Sequence, residues 1–452
     1  MGERARMLAQ AEAMVDAWEG RFGPLERHPA SEPDPARLVD AWERFGARMA
    51  DHHPFFHPRY AGQMLKPPHA VAAAGYLAAM LVNPNNHALD GGPGTSALEV
   101  EVVDELRAML GLPAPGIGHL TSSGTIANLE ALWVARELRP GRAVVFSEAA
   151  HYTHGRMCQV LGVEGRPVGA DPRGRIDLDA VAAQCARGDV GTVVLTAGTT
   201  GLGAIDRVDE ALALRERFGV RLHADAAYGG FYALLGGAAY EAIGACDSVV
   251  VDPHKHGLQP YGCGAVLFAD PGVGRLYRHD SPYTYFTSDE LHLGEISLEC
   301  SRAGAAAAAL WLTIQVFPLR RDDGLGAMLS ACRRAALRFA ELVDADARLE
   351  LHVEPELDIV TYFPAGDALS DVDARSAAVL RAGMEAADPQ DSVFLGTLAV
   401  EAKAMAALHP GLACDADRAR VLRSVLMKPE HEPAVEALCA RVGELAERSA
   451  AA

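Results

Sequence analysis

The sequence predicts an α/β fold, in which a large domain built on a mainly parallel sheet is followed by a smaller α+β domain. Between residues 71 and 318, short Val-rich runs alternate with amphipathic helical patterns. These runs are apolar at successive positions, which is typical of strands buried on both faces of a parallel sheet. Beyond Pro318, a long helical pattern precedes shorter strand-like runs, which indicates a separate α+β unit.

The first predicted element is a helical segment over residues 1–70, which ends in the His- and aromatic-rich turn DHHPFFHPRYAGQ. Its opening stretch, MGERARMLAQAEAMVDAWEG, carries charges among its apolar residues. This pattern predicts an amphipathic helix rather than a signal peptide. The alternation of charges favours a helix laid over another surface, such as that of a partner subunit.

The predicted large domain, residues 71–318, contains five apolar runs of the length of buried strands. They are AVVFSE (143–148), GTVVLTAG (191–198), VRLHADAA (220–227), DSVVVDPH (247–254) and GAVLF (264–268). Helical patterns separate the first three, and one of these patterns, VDEALALRERFG, ends on a glycine as helices often do. Ligands bind at the carboxyl ends of such strands, so the polar residues after each run are candidate site residues.

The remaining elements are helical or mixed. The Ala-rich run after Arg302 predicts a tightly packed core helix. The predicted small domain, residues 319–452, begins with the helix GLGAMLSACRRAALRFAELV and continues with strands near LELHVEP and DIVTYFP. A helix, one strand and a terminal helix complete the prediction.

Composition excludes several classes of protein. The 452 residues are 50% hydrophobic and 22% charged, which is the balance of a folded globular chain rather than a disordered one. The formal net charge of −19, with no basic run, excludes nucleic acid and anionic membranes as partners. No run reaches the roughly 20 apolar residues of a membrane span. The eight scattered cysteines, with no CxxC pair, predict reduced thiols in a cytoplasmic protein.

Two candidate residues are predicted where buried strands end. Asp225 ends the run VRLHADAA, and a carboxylate buried there needs a cationic partner, either a protonated pyridine nitrogen or a structural salt bridge. Lys255, between His254 and His256, follows the run DSVVVDPH. A lysine partly removed from water beside other cations becomes an amine nucleophile, whereas an ordinary surface lysine does not.

Three further positions near strand ends carry candidate ligand-binding residues. Ser123, Gly124 and Thr125 begin a strongly patterned helix, where they form either a phosphate cradle or an ordinary N-cap. His151 follows AVVFSE and offers a flat ring for stacking on a planar ligand, and Thr199 lies in a Gly-rich turn. Phosphate cradle, stacking ring, buried carboxylate and lysine together predict a site for pyridoxal phosphate.

Four motifs, TSSGTIANL, EAAHYTHG, HADAAYGG and DPHKHGLQPYGCG, occur in this order and resemble the group II pyridoxal-phosphate-dependent amino-acid decarboxylases. The resemblance extends from about residue 55 to 430. It implies fold type I, with a seven-stranded sheet sandwiched by helices, and pyridoxal 5'-phosphate as cofactor. It also implies a homodimer with its active site near the subunit interface.

The resemblance assigns a role to each matching residue. Lys255 corresponds to the lysine that forms an aldimine with the cofactor, Asp225 to the partner of the pyridine nitrogen, and His151 to the histidine stacked on the ring. The remaining cofactor contacts that it implies are Ser123, Gly124, Thr125, Thr199, Ala227 and His254. Tyr283 and Tyr285, in RHDSPYTYFTSDE, are the implied proton donors, with His151 as the alternative.

Substrate residues are implied by three further segments. Arg302 lies in SLECSRAGAAAAALW, and Arg423 in RVLRSVLMKPEH. Either guanidinium suits a carboxylate, or instead a side-chain anion or the neighbouring chain. The segments HPRYAGQMLKPPH and VNPNNHALDGGPGTSALE contribute His57, Gln63, Asn85 and Asn86 as pocket residues, unless these residues only shape turns.

The predicted activity is decarboxylation of an L-amino acid to an amine and carbon dioxide. A second possibility is another lyase on the same scaffold, of the aldehyde-lyase or sphingosine-phosphate-lyase type, or an oxidative deaminase. A third is a metal-binding or scaffold protein built on His52, His53, His57, His254 and His256, but these histidines lack compact ligand spacing, so no metal is expected. Tyrosine-like, acidic and diamino acids all remain open as substrates.

Overall fold

The fold consists of two sheets surrounded by helices, and the computed structural model describes residues 2–278 and 297–450. The strands are β1 (Tyr60–Ala61), β2 (Ile117–Thr121), β3 (Ala143–Ser147), β4 (Gly165–Val168), β5 (Val190–Thr196), β6 (Arg221–Asp225), β7 (Ser248–Val251), β8 (Gly264–Phe268), β9 (Leu349–Val353), β10 (Ile359–Pro364), β11 (Phe394–Glu401) and β12 (Arg418–Val425). The helices are α1 (Glu3–Glu19), α2 (Pro35–Met49), α3 (Ala70–Val82), α4 (Pro93–Met109), α5 (Gly124–Leu138), α6 (Thr153–Leu161), α7 (Leu178–Cys185), α8 (Val208–Phe218), α9 (Ala238–Ile243), α10 (Gly304–Val316), α11 (Gly324–Ala345), α12 (Leu369–Met384), α13 (Ala402–Leu408) and α14 (Val435–Ala450).

The larger sheet has seven strands in the order β2-β8-β7-β6-β5-β3-β4. Strand β8 runs antiparallel to both of its neighbours, and every other pairing is parallel. All five predicted runs form strands of this sheet, and β3, β5, β7 and β8 are buried at every residue. The prediction of a mainly parallel, doubly covered sheet is therefore confirmed.

The smaller sheet joins both ends of the chain. Its order is β1-β11-β12-β10-β9, and the pairings among β9 to β12 are antiparallel. The sequence predicts one strand after α12, but the structure has two, β11 and β12, separated by the short helix α13. Strand β1 pairs with β11 in parallel, with Tyr60 opposite Phe394, so the predicted N-terminal helical segment also contributes a strand.

Helix α10 is the predicted Ala-rich core helix. Eight of its thirteen residues are buried, and it packs against α3 and α4. The small alanine side chains permit close helix contact, as at Gly75 of α3, where an added Cβ would lie 3.2 Å from the Cα of Ala309. None of the helices within the described ranges has the length and apolar character required to cross a lipid bilayer.

The two N-terminal helices differ in how they are covered. Helix α1 contacts α3 and buries Ala11 and Val15, whereas no residue of α2 is buried. Leu38, Trp42, Phe45 and Met49 of α2 are exposed, and their spacing of four, three and four residues places them on one face of the helix. That apolar face has no covering element among the described residues.

Candidate active site

Lys255 lies in a tight turn after β7, on the carboxyl side of the sheet. Its Nζ is 3.1 Å from Oδ2 of Asp252, and its side chain retains 22% exposure. The backbone N–H of Lys255 donates to the carbonyl of Asp252 at 2.9 Å, which closes the turn. His254 donates from its backbone to the carbonyl of Cys263 and places Nδ1 2.7 Å from the same oxygen. The lysine is therefore held between β7 and the start of β8.

The charges around Lys255 differ from the sequence prediction, which placed it beside cations. The nearest charged group is the carboxylate of Asp252, three residues earlier in the same turn. His256 is completely buried, and burial lowers its pKa well below the usual value, so its ring is neutral. The turn therefore pairs Lys255 with the carboxylate of Asp252 and directs His256 into the core.

Asp225 ends β6 and is 5% exposed. Its Oδ2 lies 2.8 Å from Nε2 of His154, and its Oδ1 accepts the backbone N–H of Ala227 at 3.2 Å. Burial alone would raise the pKa of Asp225, but the hydrogen bond and charge of His154, together with Lys255, outweigh burial and lower it below the usual value. The carboxylate is thus ionised at neutral pH.

His151 lies between β3 and α6 and is half-buried. Its Nδ1 accepts the backbone N–H of Thr153 at 3.3 Å, which fixes the ring next to the start of α6. Burial lowers the pKa of His151, and the charge of Lys255 acts in the same direction against the opposing carboxylate of Asp225. Its imidazole is therefore neutral at pH 7, and Ala227, the other predicted ring contact, is buried beside Asp225.

The residues of the predicted phosphate loop lie at the N-terminus of α5. Ser123 caps the helix, since its Oγ accepts the backbone N–H of Ile126 at 3.3 Å. The first amides of a helix have no intrahelical acceptor, so those of Gly124 and Thr125 are available to an anion. An added Cβ on Gly124 would lie 2.5 Å from Oδ2 of Asp252, so this loop and the lysine turn are in direct contact.

Two hydroxyls extend this arrangement. Thr125 Oγ1 lies 3.3 Å from Oγ1 of Thr153, which connects the α5 loop to the start of α6 next to His151. Thr199 is buried in the turn after β5, where its Oγ1 accepts the backbone N–H of Ala204 at 3.0 Å. Its hydroxyl proton remains available to a ligand.

Arg423 lies on β12 and is 5% exposed. Its Nε donates to the carbonyl of Gly201 at 3.0 Å, and its Nη1 donates to the carbonyl of Gly62 at 3.2 Å. Nη2 is buried and has no hydrogen-bond partner among the described residues. Burial lowers the pKa of Arg423, while Tyr228 and Asp358 act in the opposite direction. The guanidinium is held rigidly next to the Thr199 turn with one nitrogen left for a ligand.

Arg302 and Asn86 belong to a different network. Arg302 Nη1 pairs with Oε1 of Glu99 and donates to the carbonyl of Leu120 at 2.8 Å, while its Nη2 donates to the carbonyl of Asn86. The amide of Asn86 bonds Oε2 of Glu99 at 2.6 Å and both accepts from and donates to Thr95. The structure therefore uses both side chains to join α4 to the start of α10.

The remaining predicted residues are placed as follows. His57 is half-buried, and its Nδ1 accepts the backbone N–H of Arg59 at 3.1 Å. Burial, with the charges of Arg59 and Lys428, lowers its pKa. Tyr283 and Tyr285 lie outside the described residues. Within the described ranges, no group of three or more His, Cys, Asp or Glu side chains is arranged to hold a metal ion.

The arrangement matches the chemistry of pyridoxal phosphate at three points. The free amides of α5 suit a phosphate, the ionised Asp225 suits a protonated pyridine nitrogen, and the primary amine of Lys255 suits an aldehyde. Sequence reasoning missed His154 and Asp252, although both lie inside motifs it quoted. The only signal for His154 is its position three residues after His151, which places it at the start of the following helix.

Comparison with known proteins is consistent with this geometry. Residues 50–363 match the family described as the pyridoxal-dependent decarboxylase conserved domain. The L-tyrosine decarboxylase of Enterococcus faecium is 29% identical over 411 residues, covering 68% of this chain and 66% of that protein. The aromatic-L-amino-acid decarboxylase of Bacillus atrophaeus is 29% identical over 371 residues, covering 76% of this chain and 75% of that protein.

Solved structures agree with the fold. The crystal structure of Oryza sativa TDC with PLP and tryptamine matches with a TM-score of 0.79 at 17% identity, covering 97% of each chain. At this identity the likeness concerns the fold, and it confirms the fold type I architecture. The chain spans slightly less than two thirds of the length of the Enterococcus protein, so its activity is argued from its own site.

Proposed function

This chain belongs to the pyridoxal-dependent decarboxylase family, and on that premise we propose that it removes the carboxylate of an L-amino acid as carbon dioxide and releases the amine. Lys255 would be the amine that holds the cofactor covalently. The observation that carries the proposal is the convergence of Lys255 and an ionised Asp225 at the carboxyl ends of neighbouring strands, with His151 beside them. When bound, pyridoxal phosphate supplies a sink for the electron pair released as the Cα–carboxylate bond breaks.

The cofactor contacts follow from the described geometry. Asp225 would hold a proton on the pyridine nitrogen, because its carboxylate is ionised and oriented by two donors. His151 and Ala227 would contact the two faces of the ring. The α5 loop of Ser123, Gly124 and Thr125 would hold the phosphate together with His254, and the Thr199 hydroxyl would donate to the ring oxygen.

Arg423 is the proposed contact for a carboxylate of the substrate. Its free Nη2 is buried, and a guanidinium with an unmet donor binds a carboxylate with both charge and geometry. Arg302 and Asn86 would shape the pocket wall, because Glu99 and backbone carbonyls use most of their donors. His57 is the remaining pocket candidate. Aromatic and acidic amino acids are the substrate classes we favour.

The proton that replaces the lost carboxylate on Cα would come from Tyr285 or Tyr283. His151 is the alternative donor, but its lowered pKa leaves its ring neutral at pH 7 and so disfavours it. A tyrosine, with an unperturbed pKa near 10, retains its proton at that pH. Loss of the tyrosine hydroxyl should therefore slow turnover without weakening cofactor binding.

We also propose a homodimer. The apolar face of α2, formed by Leu38, Trp42, Phe45 and Met49, is exposed in one chain. Next to α1, an apolar groove of about 990 Å³ is lined by side chains of α1, α3, α4 and α10. A second copy of the chain would cover these surfaces, and exposed apolar area of this kind is unusual in a monomer. All eight cysteines are free thiols, which favours a reducing compartment, the cytoplasm.

The test is a direct assay on the purified chain. The protein is loaded with pyridoxal phosphate and incubated with separate pools of aromatic, acidic and diamino L-amino acids while carbon dioxide and amines are measured. Lys255→Ala is the test variant, and Lys403→Ala, at an exposed position on α13, is the matched control. We expect one pool to yield equal amounts of carbon dioxide and amine, with both lost in Lys255→Ala and kept in the control.

Other products would contradict the proposal in distinct ways. An aldehyde or ammonia without carbon dioxide would replace decarboxylation with another lyase reaction or with oxidative deamination. Equal cofactor binding by Lys255→Ala and the native chain, measured after reduction with borohydride and mass analysis, would remove Lys255 from its role.

A further inference from the structure

We propose that His154 is a positioning residue for the reaction, because it fixes the Asp225 carboxylate so that this carboxylate can hold a proton on the pyridine nitrogen of the cofactor. This inference rests on the proposed function. His154 lies within α6, not at the end of a strand, and is not among the cofactor contacts proposed above.

The geometry places His154 directly behind Asp225. His154 lies in the first turn of α6, is fully buried, and has Nε2 2.8 Å from Oδ2 of Asp225. The second carboxylate oxygen, Oδ1, accepts the backbone N–H of Ala227 at 3.2 Å. The carboxylate is therefore held by two donors from opposite sides, one from α6 and one from its own loop, which leaves it little freedom to rotate.

The direction of the hydrogen bond follows from the state of Asp225. An ionised carboxylate only accepts, and the pKa of Asp225 lies below its usual value despite burial, so Nε2 of His154 must carry the proton. Its other nitrogen, Nδ1, is buried without a partner in the described part of the chain. This arrangement fixes which nitrogen of His154 faces the site, because only the Asp225 side offers an acceptor.

The other charged and titratable groups facing the pair come from three parts of the chain. Lys255 and Asp252, after β7, and His151, before α6, act on the site side of Asp225. His223 on β6 faces the far side, where its ring centroid is 6.4 Å from that of His154. Burial lowers the pKa of His223 to about 3, so it is neutral and adds no positive charge behind the pair.

Removing His154 would therefore leave the buried carboxylate with one donor. Burial would then raise the proton affinity of Asp225, so that a proton shared with the pyridine nitrogen would move towards the carboxylate. A neutral pyridine is a weaker electron sink than a protonated one. His154 thus affects the reaction through the protonation of the ring, without touching the substrate.

The experiment compares three variants of the cofactor-loaded chain. His154→Leu removes the donor at nearly constant volume, and His154→Gln keeps an N–H at the position of Nε2. His119→Leu is the matched control, because Nε2 of His119 on β2 lies 2.8 Å from Oε2 of Glu130 on α5, in an equally buried pair. Two quantities are measured: the dissociation constant of pyridoxal phosphate by fluorescence, and the NMR shift of a cofactor labelled with ¹⁵N at the ring nitrogen.

We expect His154→Leu to raise the cofactor dissociation constant about tenfold, the effect of losing one hydrogen bond to a charged group. Its ring nitrogen should give the unprotonated ¹⁵N shift at a pH where the native chain gives the protonated shift. In His154→Gln, the dissociation constant and the ¹⁵N shift should return most of the way to the native values. In His119→Leu, neither quantity should change. A protonated shift and a dissociation constant within twofold of the native value in His154→Leu would overturn the inference.

Two further outcomes keep the inference distinct from the proposed function. If the native chain binds no pyridoxal phosphate, both the proposed function and the inference fail. If the native chain binds the cofactor and the His154 variants give the same dissociation constant and ¹⁵N shift, the inference alone fails. Should His154→Leu not fold, ¹⁵N-histidine spectra of the native chain, assigned with His154→Gln, decide the question. An Nε2 of His154 without a proton would overturn the inference.

Discussion

Gly124 shows how a single residue without a side chain permits two loops to meet. An added Cβ would lie 2.5 and 2.7 Å from the carboxylate oxygens of Asp252, which is bonded to Lys255. We predict that Gly124→Ala raises the dissociation constant of pyridoxal phosphate at least about tenfold and costs about 1–3 kcal/mol of stability, the usual cost of overpacking. Equilibrium dialysis and denaturant titration measure both quantities.

The matched control is Gly94→Ala in the first turn of α4, where an added Cβ meets no atom within 4 Å. Cofactor binding and stability should stay near native values in this variant. Native cofactor affinity in Gly124→Ala would show that the α5 loop and the lysine turn separate at low cost.

The second prediction concerns Arg423 and the affinity for the amino-acid substrate. Arg423→Met should raise KM for the amino acid at least about tenfold, since truncating one partner of a buried charged pair costs about 2–5 kcal/mol. Arg420→Met is the control on the same strand, because Arg420 is exposed and pairs with Asp373. An unchanged KM in a folded Arg423→Met chain would show that Arg423 does not bind the substrate. Its role would then be structural, through the carbonyls of Gly201 and Gly62.

For single residues, the sequence predicts those that directly follow a strand, but it misses residues that act by contacting them. Lys255, Asp225 and His151 each end or follow an apolar run, so sheet topology alone brings them together. His154 and Asp252 act through side-chain contacts that depend on the packing of α6 and on the shape of a turn. No periodicity records such contacts.

Among the elements, five of the seven strands of the larger sheet were the most predictable, whereas β2 and β4 match no predicted run. Each predicted run matches a strand to within three residues at each end, because continuous burial on both faces leaves an uninterrupted apolar run. Strands β11 and β12 were less predictable, since exposed residues interrupt both of them. Strand β1 has only two residues, which is too short for any pattern, and it exists because β11 offers a free edge.

The third prediction concerns the exposed apolar face of α2 and the proposed homodimer. The double variant Trp42→Ser with Phe45→Ser should convert a dimer into a monomer in sedimentation-equilibrium experiments, because it removes two large apolar side chains from the exposed face of α2. The control, Arg37→Ser with Glu43→Ser, changes polar side chains of the same helix and should remain dimeric. A native chain that is monomeric at micromolar concentration would contradict the dimer proposal.

For the molecule as a whole, buried histidines set the response to acid. Burial lowers the pKa of His223 and His431 to about 3 and that of His352 to about 4, and it lowers the pKa of His256 well below the usual value. Below pH 6.5 these histidines bind protons in the unfolded chain but not in the folded chain. The free energy of unfolding is therefore highest above pH 6.5 and falls towards pH 4. Asp206, whose pKa burial raises to about 6, acts in the opposite direction.

We therefore predict a lower free energy of unfolding at pH 5 than at pH 7, measured by urea titration of the apo chain. His431→Leu should reduce the slope by about one proton, or about 1.4 kcal/mol per pH unit. His52→Leu, at an exposed position, should leave the slope unchanged. An equal slope in the His431 variant would show that His431 already binds its proton in the folded state.

The pairing of β1 with β11 has a consequence for how the chain is made. Tyr60 meets Phe394, the Lys428 ammonium donates to the carbonyl of Tyr60 at 2.6 Å, and Arg423 donates to the carbonyl of Gly62. On a ribosome adding about 5–20 residues per second, residues 60–62 emerge roughly 15–70 seconds before these partners exist. The larger sheet can form during that interval, but the part of the site that contains Arg423 is assembled only after β11 and β12 have been synthesised.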